Sequence, residues 1–136
     1  MLCTHFVCVS AVQKLHEITE PAVAAARQAI GPDMKLLVDV NCPWSPDEAM
    51  SVSKWMKTYD VFWLEEPVYP PEDFETLATL QGLVAGGAGV DIAAGENACT
   101  AFEFQKMFSA GAVRYAQPAV IKCGGVACVH AVPATM

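Results

Sequence analysis

The sequence predicts a parallel α/β fold, and three observations carry that prediction. Short, nearly continuous apolar runs recur along the chain, each the length of one strand covered on both faces. Amphipathic stretches of helical period separate them. The strand–helix units repeat every ~25–30 residues with short links, as βαβ connections do. A doubly wound sheet and a (β/α)8 barrel both fit that pattern. A complete barrel takes ~200–250 residues, whereas this chain has 136, so a barrel here is roughly half of one.

The elements follow in order. A first strand is expected near residues 6–12. Residues 20–30 (EPAVAAARQAI) are rich in alanine and followed by Gly31, which reads as a helix with its C-terminal stop. Residues 35–40 (KLLVDV) read as a strand. Ser45-Pro46-Asp47-Glu48 supplies an N-cap, a proline at the first helical position and a capping-box glutamate, for a helix running to about Thr58. Residues 61–64 (VFWL) are the next strand and 71–80 the next helix. The glycine-rich stretch 82–90 is a loop or frayed helix end; because it precedes a strand, it lacks the geometry of a dinucleotide loop. Residues 91–95 (DIAAG) form a strand, 100–109 a helix and 113–117 a further strand. Gly124-Gly125 then turns the chain toward another helix start.

Composition narrows the function classes. Hydrophobic residues make up 54% and charged residues 17%, which excludes disorder. Eight basic against fifteen acidic residues give a net charge of −7, which argues against nucleic acid and anionic membrane partners. No run of ~20 uncharged apolar residues marks a membrane span, and no basic n-region marks a signal peptide. Cys3, Cys8, Cys42, Cys99, Cys123 and Cys128 form no CxxC pair. They read as reduced, mostly buried thiols of a cytoplasmic protein, in preference to a zinc site built from Cys123, Cys128 and His130. His5 and His16 fit no triad order.

Three acids stand out because they occupy equivalent places. Asp39 ends one strand in VDVN, Glu65 the next in WLEEP, and Glu96 follows the third in AAGEN. Neighbouring parallel strands present their carboxyl ends on one side of the sheet, where α/β active sites form. Three carboxylates converging there repel one another unless a cation sits between them, and an all-oxygen site favours a hard one, above all Mg²⁺. The neighbouring Glu66 reads as an acid that solvates a strand end. Trp44, just past Asp39, is a candidate for the substrate mouth; Trp55 and Trp63 read as core.

VDVN, WLEEP and AGEN, with the runs AARQAIGPDMKLLVDVN and AGENACTAFEFQKMFSAGAVRYAQPAVIKCGGV, resemble the enolase superfamily. The closer likeness is to its mandelate racemase and muconate lactonizing enzyme branch. The resemblance covers about residues 19–129; residues 1–18 and the tail 130–136 match poorly. It implies a partial TIM-type barrel of about four to five βα units. It also implies Mg²⁺ held by Asp39, Glu65 and Glu96, with Asn41 close by, and a small carboxylate substrate that loses its α-proton. The implied activity is that of a lyase or isomerase, of the acid-sugar dehydratase or racemase type. Lys122 matches a lysine frequent in the family, with substrate contact or ion pairing as its roles.

The departures are equally specific. The family's Lys-x-Lys base falls here near Cys8 and Ser10, or Ser10 and Val12, none of them a base; Lys14 is out of register. Ala119 stands where an Asp or Lys often serves catalysis. The expectation is a fragment that turns over little or nothing alone, and whose open sheet edges favour a homo-oligomer. The alternatives are a non-catalytic fragment of such an enzyme and, from another class, a receiver-type signalling domain. The latter wants paired acids after its first strand, and nothing acidic precedes Glu17.

Overall fold

Five parallel strands pair in chain order, β1-β2-β3-β4-β5, in one sheet. The computed structural model describes residues 6–10 and 16–132; the positions of Cys3, His5, Val12, Lys14 and the tail 133–136 lie outside them. Strands β1 (Phe6–Ser10), β2 (Lys35–Asp39), β3 (Val61–Glu65), β4 (Asp91–Ala94) and β5 (Tyr115–Ala116) alternate with helices. These are α1 (His16–Ile30), α2 (Pro46–Met56), α3 (Phe74–Ala85), α4 (Ala101–Ser109) and α5 (Val126–Ala131). A flavodoxin- or receiver-type sheet runs 2-1-3-4-5. The sequential order seen here is that of a (β/α) barrel, so both the doubly wound and the receiver alternatives are set aside.

The two faces of the sheet differ. Leu36, Val38, Leu64, Ile92 and Ala94 point to one face and join Val52, Met56, Leu77, Leu80, Phe104 and Met107 of the helices in a single core. The opposite face carries Leu37 paired with Trp63 and Ala93 paired with Tyr115, and Trp63 stacks obliquely on Tyr115 with ring centroids 5.0 Å apart. Trp63 is therefore half-buried in this second, aromatic layer and not in the helix-packed core. A bulge between Leu36 and Leu37 adds Phe62 to the same layer, 5.3 Å from Tyr115 and capped by the Lys35 ammonium 3.5 Å from its ring centroid.

Local signals account for the ends. Ser45 and Glu48 close the predicted capping box on α2. Thr100 and Glu103 close a second one on α4, the T-x-x-E pattern that the sequence reading passed over. Helix α3 begins three residues later than expected because Asp73, not Pro71, caps it by accepting from Thr76 N–H. It then runs through Ala85 into the glycine-rich stretch. Helix α1 begins at His16, ahead of the alanine-rich stretch, with Pro21 inside it. Arg27 ties its C-terminus to the sheet, donating to the carbonyls of Gly31, Met34, Tyr59 and Asp60 at 2.7–2.8 Å. Strand β5 is only two residues long, shorter than the predicted five.

Candidate metal centre

The register of the strands decides where the acids stand. Asp39 pairs with Glu65 across β2 and β3, and Ser10 at the end of β1 pairs with Asp39. Beyond the last rung the loops keep pairing. Val40 N–H donates to Glu65 O, Cys42 N–H to Glu66 O, Trp44 N–H to Pro67 O and Glu66 N–H to Ala93 O. Asp39, Glu65 and Glu96 thus rise from three adjacent strand ends on one side of the sheet, as the sequence predicts.

Gly95 makes the approach of Glu96 possible. Its φ of +122° is one that side chains rarely adopt, and a Cβ there would lie 2.9 Å from Phe104 Cε1. Only glycine allows β4 to turn over α4 and set Glu96 at the rim. Asp39 is fixed differently: Asn41, in a left-handed conformation with φ 53°, donates its backbone N–H to Asp39 Oδ1 at 3.1 Å.

The electrostatics are those of crowded like charges. Burial pushes the Glu65 carboxyl above its ordinary range, and the charges of Asp39 and Glu96 push it further; Gln117 and Trp63 hold the rise back. The Trp63 indole N–H leans on this carboxylate without closing a hydrogen bond of ordinary geometry, and Gln117 Oε1 is likewise buried without a partner. Cys8 on β1 is raised by burial and then by Glu65 and Asp39. Cys8, one of the positions near which the family's base falls, thus lies within electrostatic reach of the cluster and carries a thiol.

Glu66 corrects the sequence reading. It is 5% exposed, not a solvated strand-end acid, and it accepts from Asn97 Nδ2 at 2.8 Å and from Cys42 Sγ at 3.7 Å. Burial foremost, then Glu96, raises its carboxyl, while burial and Glu66 push the Cys42 thiol up to about 12. Asn97, Cys42 and Gln117 were not singled out beforehand; the Asn of AGEN was the one available signal. A cavity of about 580 Å³ opens beside the cluster, with Asn41, Cys42, Glu66, Glu96 and Asn97 in its wall. Asp39 and Glu65 do not line it.

The other candidates fall as follows. Trp44 is 2% exposed and belongs to the core, although it edges a second cavity of about 440 Å³ with Cys42, Ser45 and Glu48. Lys122 ion-pairs with Glu96, Nζ to Oε1 at 2.9 Å. The cysteines among the described residues are free, but only Cys123 is buried; Cys8 and Cys99 are exposed, contrary to the expectation of mostly buried thiols. Cys123, Cys128 and His130 form no zinc site: among the described residues, no three His, Cys, Asp or Glu side chains stand as a ready-made metal cage. Asp39, Glu65 and Glu96 are included in that statement. Their fit to a metal rests on donor chemistry, three hard carboxylate oxygens donors on adjacent strand ends under mutual repulsion, which suits a hard divalent cation.

Comparison with known proteins places this geometry. The family model for enolase C-terminal domain-like proteins matches residues 11–135. The chain is 36% identical over 103 residues to D-galactarolactone cycloisomerase of Agrobacterium fabrum, covering 76% of this chain and 26% of that protein. It is 29% identical over 104 residues to L-talarate/galactarate dehydratase of Salmonella typhimurium, covering 76% and 25%. The chain thus spans about a quarter of the length of the curated relatives it matches. Its fold resembles that of an enolase from Bradyrhizobium complexed with magnesium and mandelic acid, with a TM-score of 0.85 and 27% identity, covering 94% of this chain and 34% of that one. Among the described residues, no helix is long and apolar enough to cross a membrane. With its sequential parallel sheet and its acids on adjacent strand ends, the chain belongs to the enolase C-terminal domain-like family, as a partial (β/α) barrel.

Proposed function

We propose that this chain forms the metal-holding part of a Mg²⁺-dependent lyase or isomerase that removes a proton α to a carboxylate. Asp39, Glu65 and Glu96 are the proposed ligands. The observation that carries the reading is the placement of three carboxylates on adjacent strand ends, where Glu65 senses both of the others. The curated relatives, a cycloisomerase and a dehydratase, support a small acid-sugar substrate, and the magnesium and mandelic acid of the Bradyrhizobium structure support a cation and a carboxylate ligand.

The chain's own residues divide the work. Asn41 N–H holds Asp39 Oδ1 in place, Gln117 and Trp63 restrain the rise of the Glu65 carboxyl, and Asn97 keeps the buried Glu66 satisfied beside Glu96. Asn41 and Asn97 offer polar groups to a substrate in the adjoining cavity. Bound among the three acids, Mg²⁺ supplies positive charge that stabilises negative charge developing on a substrate carboxylate. A second reading, of a chain that holds metal without completing turnover, is favoured by Cys8, a thiol on β1 within electrostatic reach of Glu65 and Asp39.

Calorimetric titration with Mg²⁺ tests the ligand set. Wild type binds saturably, and Asp39→Asn, Glu65→Gln and Glu96→Gln each weaken binding at least about tenfold, or ~1.4 kcal/mol. Binding that survives all three substitutions unchanged removes the assignment.

A further inference from the structure

We propose that Lys122 competes with a divalent cation for the Glu96 carboxylate, so that loading the strand-end cluster displaces its ammonium from Glu96. This rests on Asp39, Glu65 and Glu96 being the ligand set, and goes beyond it by assigning a positioning role to a residue that is not a ligand.

The backbone around Lys122 is pinned. Lys122 N–H and Cys123 N–H both donate to Ala119 O, at 2.9 and 3.0 Å, and Gly125 N–H donates to Val120 O at 2.9 Å. The next side chain, Cys123, is 2% exposed and packs into the core. From this anchored turn after β5 the lysine reaches across to the end of β4. Its Nζ lies 2.9 Å from Glu96 Oε1 and 3.2 Å from Asn97 Oδ1. Asn97 in turn donates its Nδ2 to Glu66, so one ammonium is coupled to both acids on this rim.

Two physical consequences follow. The side chains of the pair are 38% and 50% exposed, and an ion pair so open to water is held weakly, within reach of displacement by a doubly charged ion. While it persists, a unit positive charge rests on an oxygen that the cation needs, and like charges at that range repel. Lysine holds the place as a compact point charge on a flexible stem with three donors, so it can release Glu96 and keep Asn97. A lysine that merely oriented Glu96 for the metal would have the opposite effect when removed, and a purely structural one would alter stability without altering affinity.

The test is Mg²⁺ calorimetry on the full chain as wild type, Lys122→Met and Lys122→Arg, at low and high KCl, with a thermal melt of each. Met tightens Mg²⁺ binding about tenfold, and the gap from wild type narrows as salt screens the ammonium. Arg, which keeps the charge, stays within about twofold of wild type. Binding by Met that is equal to or weaker than wild type overturns it. If wild type binds and Glu65→Gln abolishes that binding while Met is no tighter, the competition alone fails. If no variant binds, the ligand set fails with it.

Discussion

The two faces of the sheet are built from the same strands and obey different rules. On the helix-packed face, Leu36, Val38, Leu64 and Ile92 are fully buried and interlock with α2, α3 and α4. On the other face the layer changes along the strand, from the Phe62–Trp63–Tyr115 aromatic cluster to the carboxylates at the strand ends. Adjacent residues serve the two faces in turn: Leu64 closes the core and Glu65, one position on, joins the acids. The alternation of a strand thus lets stability and chemistry occupy neighbouring positions without sharing side chains.

That separation can be broken from either side, and the effects should be unequal. Leu64→Ala leaves a cavity in the core and is expected to cost about 2–5 kcal/mol, read as a large fall in melting temperature. Any loss of Mg²⁺ binding in that variant should track unfolding, so it recovers as the temperature is lowered. Gly95→Ala sits where the faces meet. The positive φ and the contact with Phe104 predict a cost of about 1–3 kcal/mol and, because the strain falls on the residue before Glu96, weaker Mg²⁺ binding at temperatures where the chain remains folded. A variant that loses stability and binds Mg²⁺ normally would show that the turn at Gly95 does not position Glu96. Glu65→Gln should have the smallest effect on folding, neutral or stabilising, because it removes a charge that burial, Asp39 and Glu96 all disfavour.

The same division explains what could be read from the sequence. β2 was legible because Leu36, Leu37 and Val38 run apolar up to their acid, and α2 because Ser45, Pro46 and Glu48 carry their cap within four residues. Asp39, Glu65 and Glu96 were legible as equivalent positions in successive units. Their distance from forming a finished cage was not, since side-chain direction does not follow from spacing. Glu66 was misread because its partners Cys42 and Asn97 lie 24 and 31 residues away, and no local pattern announces such contacts. Lys122 and Glu96, 26 residues apart, are a pair of the same kind; a resemblance could mark the lysine, but only the fold supplied its partner. The burial of Trp44 was hidden for a related reason. The chain just past Asp39 keeps pairing, through a bridge from Trp44 to Val68, and so carries the indole inward to the core.

The most direct measurement is a pair of melting curves for wild type and Glu65→Gln, each taken in EDTA and in excess Mg²⁺. A cation that binds only the folded chain adds about 2.7 kcal/mol at a hundredfold excess over its dissociation constant. The account predicts a clear Mg²⁺-dependent rise in wild type, none in Glu65→Gln, and a variant at least as stable as wild type in EDTA. Equal Mg²⁺ shifts in the two proteins, or no shift in wild type, would contradict it.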